Sequence, residues 1–326
     1  MLNEEVIERI KGRSVLVVGD VTLDKFIIGR VSRISPEAPV PIVDVESEFY
    51  SLGAAANVIN NLRAMEAKVW IATVVGNDPE GDYIIREIRK TSTNTDGIFK
   101  DDKKITAVVS RVRTADHQLL RMDRAKDEKI DIKTALQVAN YAESLIGDLD
   151  IIVVSDYGRG VITSELMEKL VKIAKKHDKK IVVNPKREHF LFYSDVDVIR
   201  TNVKEAGYVT GVSATDEAGL YIAGEKILNS LHCKAVLITW IESGFYLFEQ
   251  GGRIKFIPPV IRHPVDVTGV GDTITSVLAL GLAAGASLED SAKLANYAGA
   301  VVANKIGLAV PTPEEIRVAL TKGIPD

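Results

Sequence analysis

The sequence predicts an α/β fold: a mostly parallel central sheet covered by helices on both faces, with a small second sheet beside it. Three observations carry this reading. Short continuous apolar runs, rich in Val and Ile, recur along the chain. Segments with apolar residues at helical spacing separate them. Two stretches marked by prolines or by period-two alternation interrupt the pattern.

The first run, Ser14-Val15-Leu16-Val17-Val18-Gly19, has no polar face, so it reads as a strand buried on both sides. Residues 54–67 then carry a helical pattern, followed by the strand Val69-Trp70-Ile71-Ala72-Thr73-Val74 and a helix over 81–90. A helix over 134–146 leads into Ile151-Ile152-Val153-Val154. One over 164–177 leads into Lys180-Ile181-Val182-Val183, and one over 217–231 into Ala235-Val236-Leu237-Ile238-Thr239. Strands alternating with helices in this way build a parallel sheet. The exceptions are 26–48, with Pro36, Pro39 and Pro41 between short apolar stretches, and 106–122, with patches such as Gln118-Leu119-Leu120. Both read as strands of a partly exposed small sheet, contributed by about 20–48 and 98–124, lying as a lid over the carboxyl ends of the main strands. Its exposed face is expected to pair with a second copy, giving a homodimer through the lid.

Composition narrows the function. At 326 residues and 46% hydrophobic content, with no low-complexity linker or internal repeat, the chain reads as one domain over 1–326. The net charge of −4 argues against nucleic acid or an anionic membrane as partner. Cys233 is the single cysteine and the five histidines are scattered, so neither a disulfide nor a zinc cluster is expected. The first ten residues carry acids through what would be a signal core, and the apolar run 274–286 is too short to span a bilayer. A cytoplasmic protein is the expectation.

The most informative stretch is Asp266-Val267-Thr268-Gly269-Val270-Gly271-Asp272-Thr273, which opens into the run 274–280. A glycine-flanked turn feeding a helix offers unpaired amides and a positive dipole end to an anion. Asp272 stands at the mouth of that pocket, where a carboxylate can take a proton from a hydroxyl while the amides hold a phosphoryl group. The plain alternative is an ordinary helix start. No Gly-Lys-Ser/Thr follows, so this is not a Walker loop, and no acidic residue closes a dinucleotide fingerprint. Two other segments accompany it. Asp20 and Asp24 follow the first strand, where open α/β sheets bind ligands, and could accept from sugar hydroxyls. Gly53-Ala54-Ala55-Ala56-Asn57 opens a helix with small side chains that let a ligand approach, or simply pack closely.

Together these segments resemble the ribokinase-like (PfkB) carbohydrate kinases over essentially the whole chain. The family's carboxy-terminal signature looks like residues 266–278, which implies an anion hole at Gly269, Val270 and Gly271 and a catalytic base at Asp272. The amino-terminal signature looks like 53–57, continuing through Gly76-Asn77-Asp78, and the Asn-x-x-Glu element looks like Asn202-Val203-Lys204-Glu205. Within the family the chain is most similar to the kinases of D-glycero-β-D-manno-heptose 7-phosphate. Ser32-Arg33-Ile34-Ser35-Pro36-Glu37-Ala38-Pro39, Gln118-Leu119-Leu120-Arg121-Met122-Asp123 and Ser155-Asp156-Tyr157-Gly158-Arg159-Gly160 carry that similarity.

The resemblance implies a three-layer α/β/α domain with a β-sheet lid and ATP-dependent, Mg²⁺-assisted phosphorylation of a sugar or sugar phosphate, here to the 1,7-bisphosphate. A monovalent cation is a further candidate. Asn202 and Glu205 would organise magnesium through waters, the alternative being a helix-capping pair. Thr239, Ser243, Gly244, Asn296, Lys305 and Gly307 would line the nucleotide side. Asp20, Asp24, Gly53, Asn57 and Lys186 would face the sugar. Arg33, Arg111, Arg121, Arg159 and Arg187 are candidates for clamping a substrate phosphate, because the guanidinium fork matches its geometry. Departures from the pattern fall at Ala54, Glu66, Val270 and Val277, and at Asn184, where Asp-Pro-Lys is usual. No nucleotidyltransferase segment or His-x-Gly-His motif is present, so a kinase domain alone is expected. The alternatives are a kinase of the same fold for fructose, ribose, a ketodeoxy acid or a nucleoside, and a non-catalytic sugar- or nucleotide-binding protein.

Overall fold

The computed structural model describes residues 4–115, 117–126 and 128–324. The first half runs α1 (Glu4–Arg9), β1 (Ser14–Gly19), β2 (Val21–Ile34), β3 (Pro41–Ala54), α2 (Ala55–Ala64), β4 (Lys68–Gly76), α3 (Pro79–Lys90), β5 (Asn94–Asp101), β6 (Ala107–Arg113), β7 (Gln118–Arg124) and α4 (Ile132–Leu145). Then come β8 (Ile151–Ser155), α5 (Ser164–Lys176), β9 (Lys180–Asn184), a 3₁₀ segment (Arg187–Tyr193), β10 (Val198–Asn202), α6 (Val203–Thr210) and α7 (Glu217–Leu231). The chain closes with β11 (Ala235–Trp240), β12 (Gly244–Glu249), β13 (Arg253–Ile257), α8 (Val270–Ala283), α9 (Leu288–Ala303) and α10 (Pro313–Lys322).

The large sheet has the order β13-β12-β11-β10-β9-β8-β1-β4-β5. From β11 to β5 every pairing is parallel, while β12 and β13 add an antiparallel hairpin at one edge. Alternate residues of one strand enter opposite cores. Val15 and Val17 of β1 join a cluster with α2, α8 and α9, whereas Leu16 and Val18 join one with α4, α5 and α7. This is why the strands carry no polar face. Among the described residues no helix is long and apolar enough to cross a membrane.

The small sheet has the order β3-β2-β6-β7 and grows directly from β1, with β2 starting two residues after Gly19. Its hairpin leaves Ile34, Val40, Val45 and Phe49 exposed. Two boundaries differ from the sequence reading. β3 continues to Ala54, because Ala54 lies at φ 57° and the helix starts only after it. Residues 98–101 belong to β5 of the large sheet, where Ile98 and Phe99 pair with Thr73 and Val74, so the lid takes nothing before β6 from that segment.

Candidate active site

Helix α8 starts at Gly269, which adopts φ +76° and has no side-chain cap. A Cβ on Gly269 would stand 2.8 Å from Asn57 Nδ2, so glycine is required both by conformation and by space. The amide of Val270 donates to Val267 O at 3.3 Å, and so the expected contribution of that amide to the anion hole is corrected. The amides of Gly269, Gly271 and Asp272 have no hydrogen-bond acceptor among the described residues. These are the orphan donors that a helix start presents to an anion. The Val270 side chain turns the other way, into the core near Gly299, which is why a larger residue fits between the two glycines.

Asp272 is 3% exposed at the first turn of α8. Four elements converge on its carboxylate. Asn57 of α2 donates to Oδ2 at 2.8 Å; Tyr157, just past β8, donates to Oδ1 at 2.7 Å; and Asn184 of β9 reaches Oδ1 at 3.4 Å. The charge of Arg200, on β10, also acts on it. Burial pushes the Asp272 pKa up to about 6, while the hydrogen bonds from Asn57 and Tyr157 and the Arg200 charge act the other way. A carboxylate that is ionised at neutral pH yet binds a proton readily suits general base catalysis. Oδ1 of Asn57 is buried and has no hydrogen-bond partner among the described residues, which leaves an acceptor next to the base.

Arg200 and Tyr157 were not singled out as site residues by the sequence reading. Arg200 left one signal, an isolated charge inside the strand run Val198-Ile199-Arg200-Thr201. Tyr157 lay inside a recognised segment with nothing local to mark its role. Burial and the Asp272 charge raise the Tyr157 pKa well above the usual phenol value, so its hydroxyl keeps the proton and acts as the donor.

Residues 13–315 match the description pfkB family carbohydrate kinase. The chain belongs to this family. It is 37% identical over 323 residues to the bifunctional protein HldE of Citrifermentans bemidjiense, covering 99% of this chain and 66% of that protein. With the protein of the same name from Desulfatibacillum aliphaticivorans it shares 40% over 306 residues, 94% of this chain and 63% of that one. The chain thus spans less than two thirds of the length of these curated relatives. Among solved structures, Arabidopsis thaliana ribokinase complexed with ribose and ATP superposes with a TM-score of 0.74 at 18% identity, covering 95% of this chain and 99% of that one. Escherichia coli phosphofructokinase-2 in complex with potassium gives 0.75 at 16%, covering 94% and 97%. The fold is therefore ribokinase-like, and the protein is a PfkB sugar kinase.

On the sugar side of this kinase the expected residues separate. Asp24 of β2 is buried and pairs with Arg111 of β6 at 2.5 Å, and its charge reaches Asp272. Gly53 packs face to face with it: a Cβ there would lie 2.4 Å from Thr22 Oγ1 and 2.7 Å from Asp24 Oδ1. Asp20 is a correction. It is fully buried and accepts the amides of Tyr157, Arg159 and Val161 at 3.0, 3.0 and 2.9 Å, so both its oxygens are engaged in anchoring the 157–161 loop and none is exposed. Lys186 lies with its alkyl stem against Gly158 of that loop.

The arginines separate too. Arg111 and Arg121 are cross-strand partners on β6 and β7, and Arg121 and Arg159 share the carboxylate of Asp123. Arg33 is a correction: it sits nine residues beyond Asp24 along β2, roughly 30 Å at 3.3 Å per residue, exposed beside Asp44. Arg187 is exposed, stacked on Tyr208 and paired with Glu188.

On the nucleotide side several expected contacts prove to be internal ties. Thr239 Oγ1 accepts from Arg200 Nη2 at 2.7 Å and donates to Thr201 O, so its hydroxyl is engaged within the protein. Asn296 donates to Pro258 O and Lys305 pairs with Glu315, so their polar ends hold loops. Gly307 donates its amide to Asp266, tying the 304–309 turn to the start of the signature. Ser243 and Gly244 form the turn between β11 and β12; at φ +104° a Cβ on Gly244 would meet Ile257 O at 2.5 Å. Asn202 and Glu205 make a complete capping box on α6, which is the plain alternative realised. Glu205 uses Oε2 for it, and Oε1 makes no hydrogen bond among the described residues. No group of three or more His, Cys, Asp or Glu able to hold a metal occurs among the described residues, and the Oε1 of Glu205 is the oxygen this pair could offer to a hydrated ion.

Proposed function

We propose that this kinase transfers the γ-phosphoryl group of ATP to D-glycero-β-D-manno-heptose 7-phosphate, giving the 1,7-bisphosphate. The observation that carries the phosphoryl-transfer reading is Asp272, buried beside three orphan amides at the start of α8. Phosphoryl transfer rests on positioning and charge stabilisation. Asp272 takes the proton of the acceptor hydroxyl as its oxygen attacks phosphorus. The amides of Gly269, Gly271 and Asp272 meet the charge on the transferred group. Asn57 orients the base and offers Oδ1 to a neighbouring hydroxyl. Asn202 and Glu205 would hold a hydrated magnesium ion, which would supply charge neutralisation to the phosphates.

The phosphorylated substrate is favoured by the grouping of Arg111, Arg121 and Arg159 around the carboxylates of Asp24 and Asp123. It is favoured also by the resemblance of residues 32–39 and 118–123 to heptose phosphate kinases. The exposed apolar residues of the lid hairpin support a homodimer formed there. An ATP-coupled assay over the heptose 7-phosphate, fructose 6-phosphate, fructose and ribose tests the reading. Highest kcat/KM on the heptose phosphate supports it, and a preference for an unphosphorylated sugar overturns it.

A further inference from the structure

We propose that Arg200 is a phosphoryl-contacting residue of this site, a built-in cation that meets the transferred group alongside the amides of α8. The inference deepens the kinase reading and rests on it. Arg200 projects from β10 and is 7% exposed. Its guanidinium lies against the backbone of Gly271, where an added Cβ would stand 2.7 Å from Nη1, 3.2 Å from Cζ and 3.3 Å from Nη2. The second glycine of the signature is therefore the residue that makes room for this cation beside the orphan amides.

The partners of Arg200 do not neutralise it. Nη1 donates to Asn184 Oδ1 at 3.3 Å and Nη2 to Thr239 Oγ1 at 2.7 Å, both neutral oxygens. Nε is buried and has no hydrogen-bond partner among the described residues. A buried guanidinium with neutral partners and an idle N–H is costly unless an anion joins it. Glu205, Asp272 and Tyr157 act on it through space. An aspartate at 184, the residue usual in the resemblance, would supply a carboxylate within ion-pair reach; Asn184 withholds it and leaves the charge available.

A phosphoryl group in transfer is the anion that fits. As the acceptor oxygen bonds to phosphorus, the bond from phosphorus to the β,γ-bridging oxygen breaks and its electron pair leaves with ADP. The hydroxyl proton goes to Asp272. Charge spreads over the three non-bridging oxygens, and a forked donor at the hole stabilises it without entering the covalent change. Thr239 and Asn184 hold the fork in place.

The test is Arg200→Gln, which removes the charge and the guanidinium fork but keeps a polar amide at that point of β10, read by kcat and by calorimetric binding of inorganic tripolyphosphate. We expect kcat to fall by about 10²–10³-fold, the cost of removing one charge-stabilising donor, and tripolyphosphate to bind at least ~10-fold more weakly. A folded variant with both quantities within about twofold of wild type overturns the proposal, while loss of transfer in Asp272→Asn alone leaves the kinase reading standing. If no sugar is phosphorylated by the wild-type protein, that reading fails and tripolyphosphate binding still decides Arg200. Should the Gln variant not fold, a crystal of the wild-type protein with ADP and aluminium fluoride decides: fluoride in hydrogen-bond contact with the guanidinium supports the role, and a guanidinium turned away refutes it.

Discussion

The Tyr157 hydroxyl donates to Asp272 Oδ1 at 2.7 Å, on the same carboxylate whose other oxygen accepts from Asn57. Asp272, drawn up to about 6 chiefly by burial, is held from rising further by these two bonds and by Arg200. A general base works only when unprotonated, so kcat should fall as pH drops through about 6. Tyr157→Phe removes one bond that favours the ionised form, and the acid limb should move to higher pH. A pH–rate profile in which the variant and wild type share the same acid limb would show that the bond does not tune the base.

Replacing the base separates activity from stability. Asp272→Asn should lower kcat by about 10²–10⁴-fold. The same change should stabilise the fold at neutral pH. The folded carboxyl binds its proton more tightly than the unfolded one, so stability falls as pH rises from about 4 to about 6, and the full penalty stands above that. A shift of about two pKa units corresponds to at most about 3 kcal/mol, at about 1.4 kcal/mol per unit. Urea unfolding should therefore show the Asn variant more stable at pH 7.5, with the advantage gone near pH 4. An advantage independent of pH would falsify this account of the burial cost.

The two glycines of the signature should fail in different ways. Gly269→Ala meets both a left-handed φ of +76° and the Asn57 amide, so it should cost about 1–2 kcal/mol of stability as well as activity. Gly271→Ala has ordinary backbone geometry and meets only the Arg200 guanidinium, the end of a flexible side chain. It should lower kcat with a smaller loss of stability. Equal thermal shifts for the two variants would contradict this division.

The parallel core was legible because continuous apolar strands such as 14–19 admit only a sheet covered on both faces. Asp272 was legible because a turn that opens a helix has few uses for a carboxylate. Less could be read where a side chain's partner is remote in sequence. Asp20 looked like a sugar ligand after a strand end, yet its acceptors are filled by amides some 140 residues away, at Tyr157, Arg159 and Val161. Arg200 passed unread in the sequence; its meaning comes from Gly271, Asn184 and Thr239, which meet it only in the folded protein. β12 and β13 escaped because a hairpin at the end of a parallel sheet breaks the strand–helix alternation that revealed the rest.

Asp20 offers a direct check on that correction. Its carboxylate is the acceptor for three amides of the loop that carries Tyr157, although burial, and then the charge of Asp156, raise its pKa. Asp20→Ala strands those amides and should cost about 2–4 kcal/mol of stability, as expected for hydrogen bonds to a charged group. With Tyr157 displaced, kcat should fall as well. KM for phosphorylated and free sugars should change together, since no sugar contact is removed. A variant of unchanged stability whose KM alone rises would return Asp20 to the sugar.

The arginine group makes the last separation. Arg121 sits opposite Arg111 on the lid and feels Asp24, and its bidentate partner Asp123 is shared with Arg159. A phosphate arriving there gains charge-assisted bonds worth about 1.5–3 kcal/mol each. Arg121→Met should therefore raise KM for a phosphosugar by about 10–100-fold, at about tenfold per 1.4 kcal/mol, and leave an unphosphorylated sugar nearly unaffected. Arg111→Met is the harsher change, because it also leaves Asp24 unpaired near Asp272, where that charge works to keep the base protonated. It should shift the acid limb upward as well as raising KM. Arg33→Met and Arg187→Met, on exposed positions away from this group, serve as controls and should change neither quantity. If Arg33 and Arg121 variants raise KM equally, the phosphate does not lie in the Arg111–Arg121–Arg159 group, and the tip of the lid has to be brought to the site by another route.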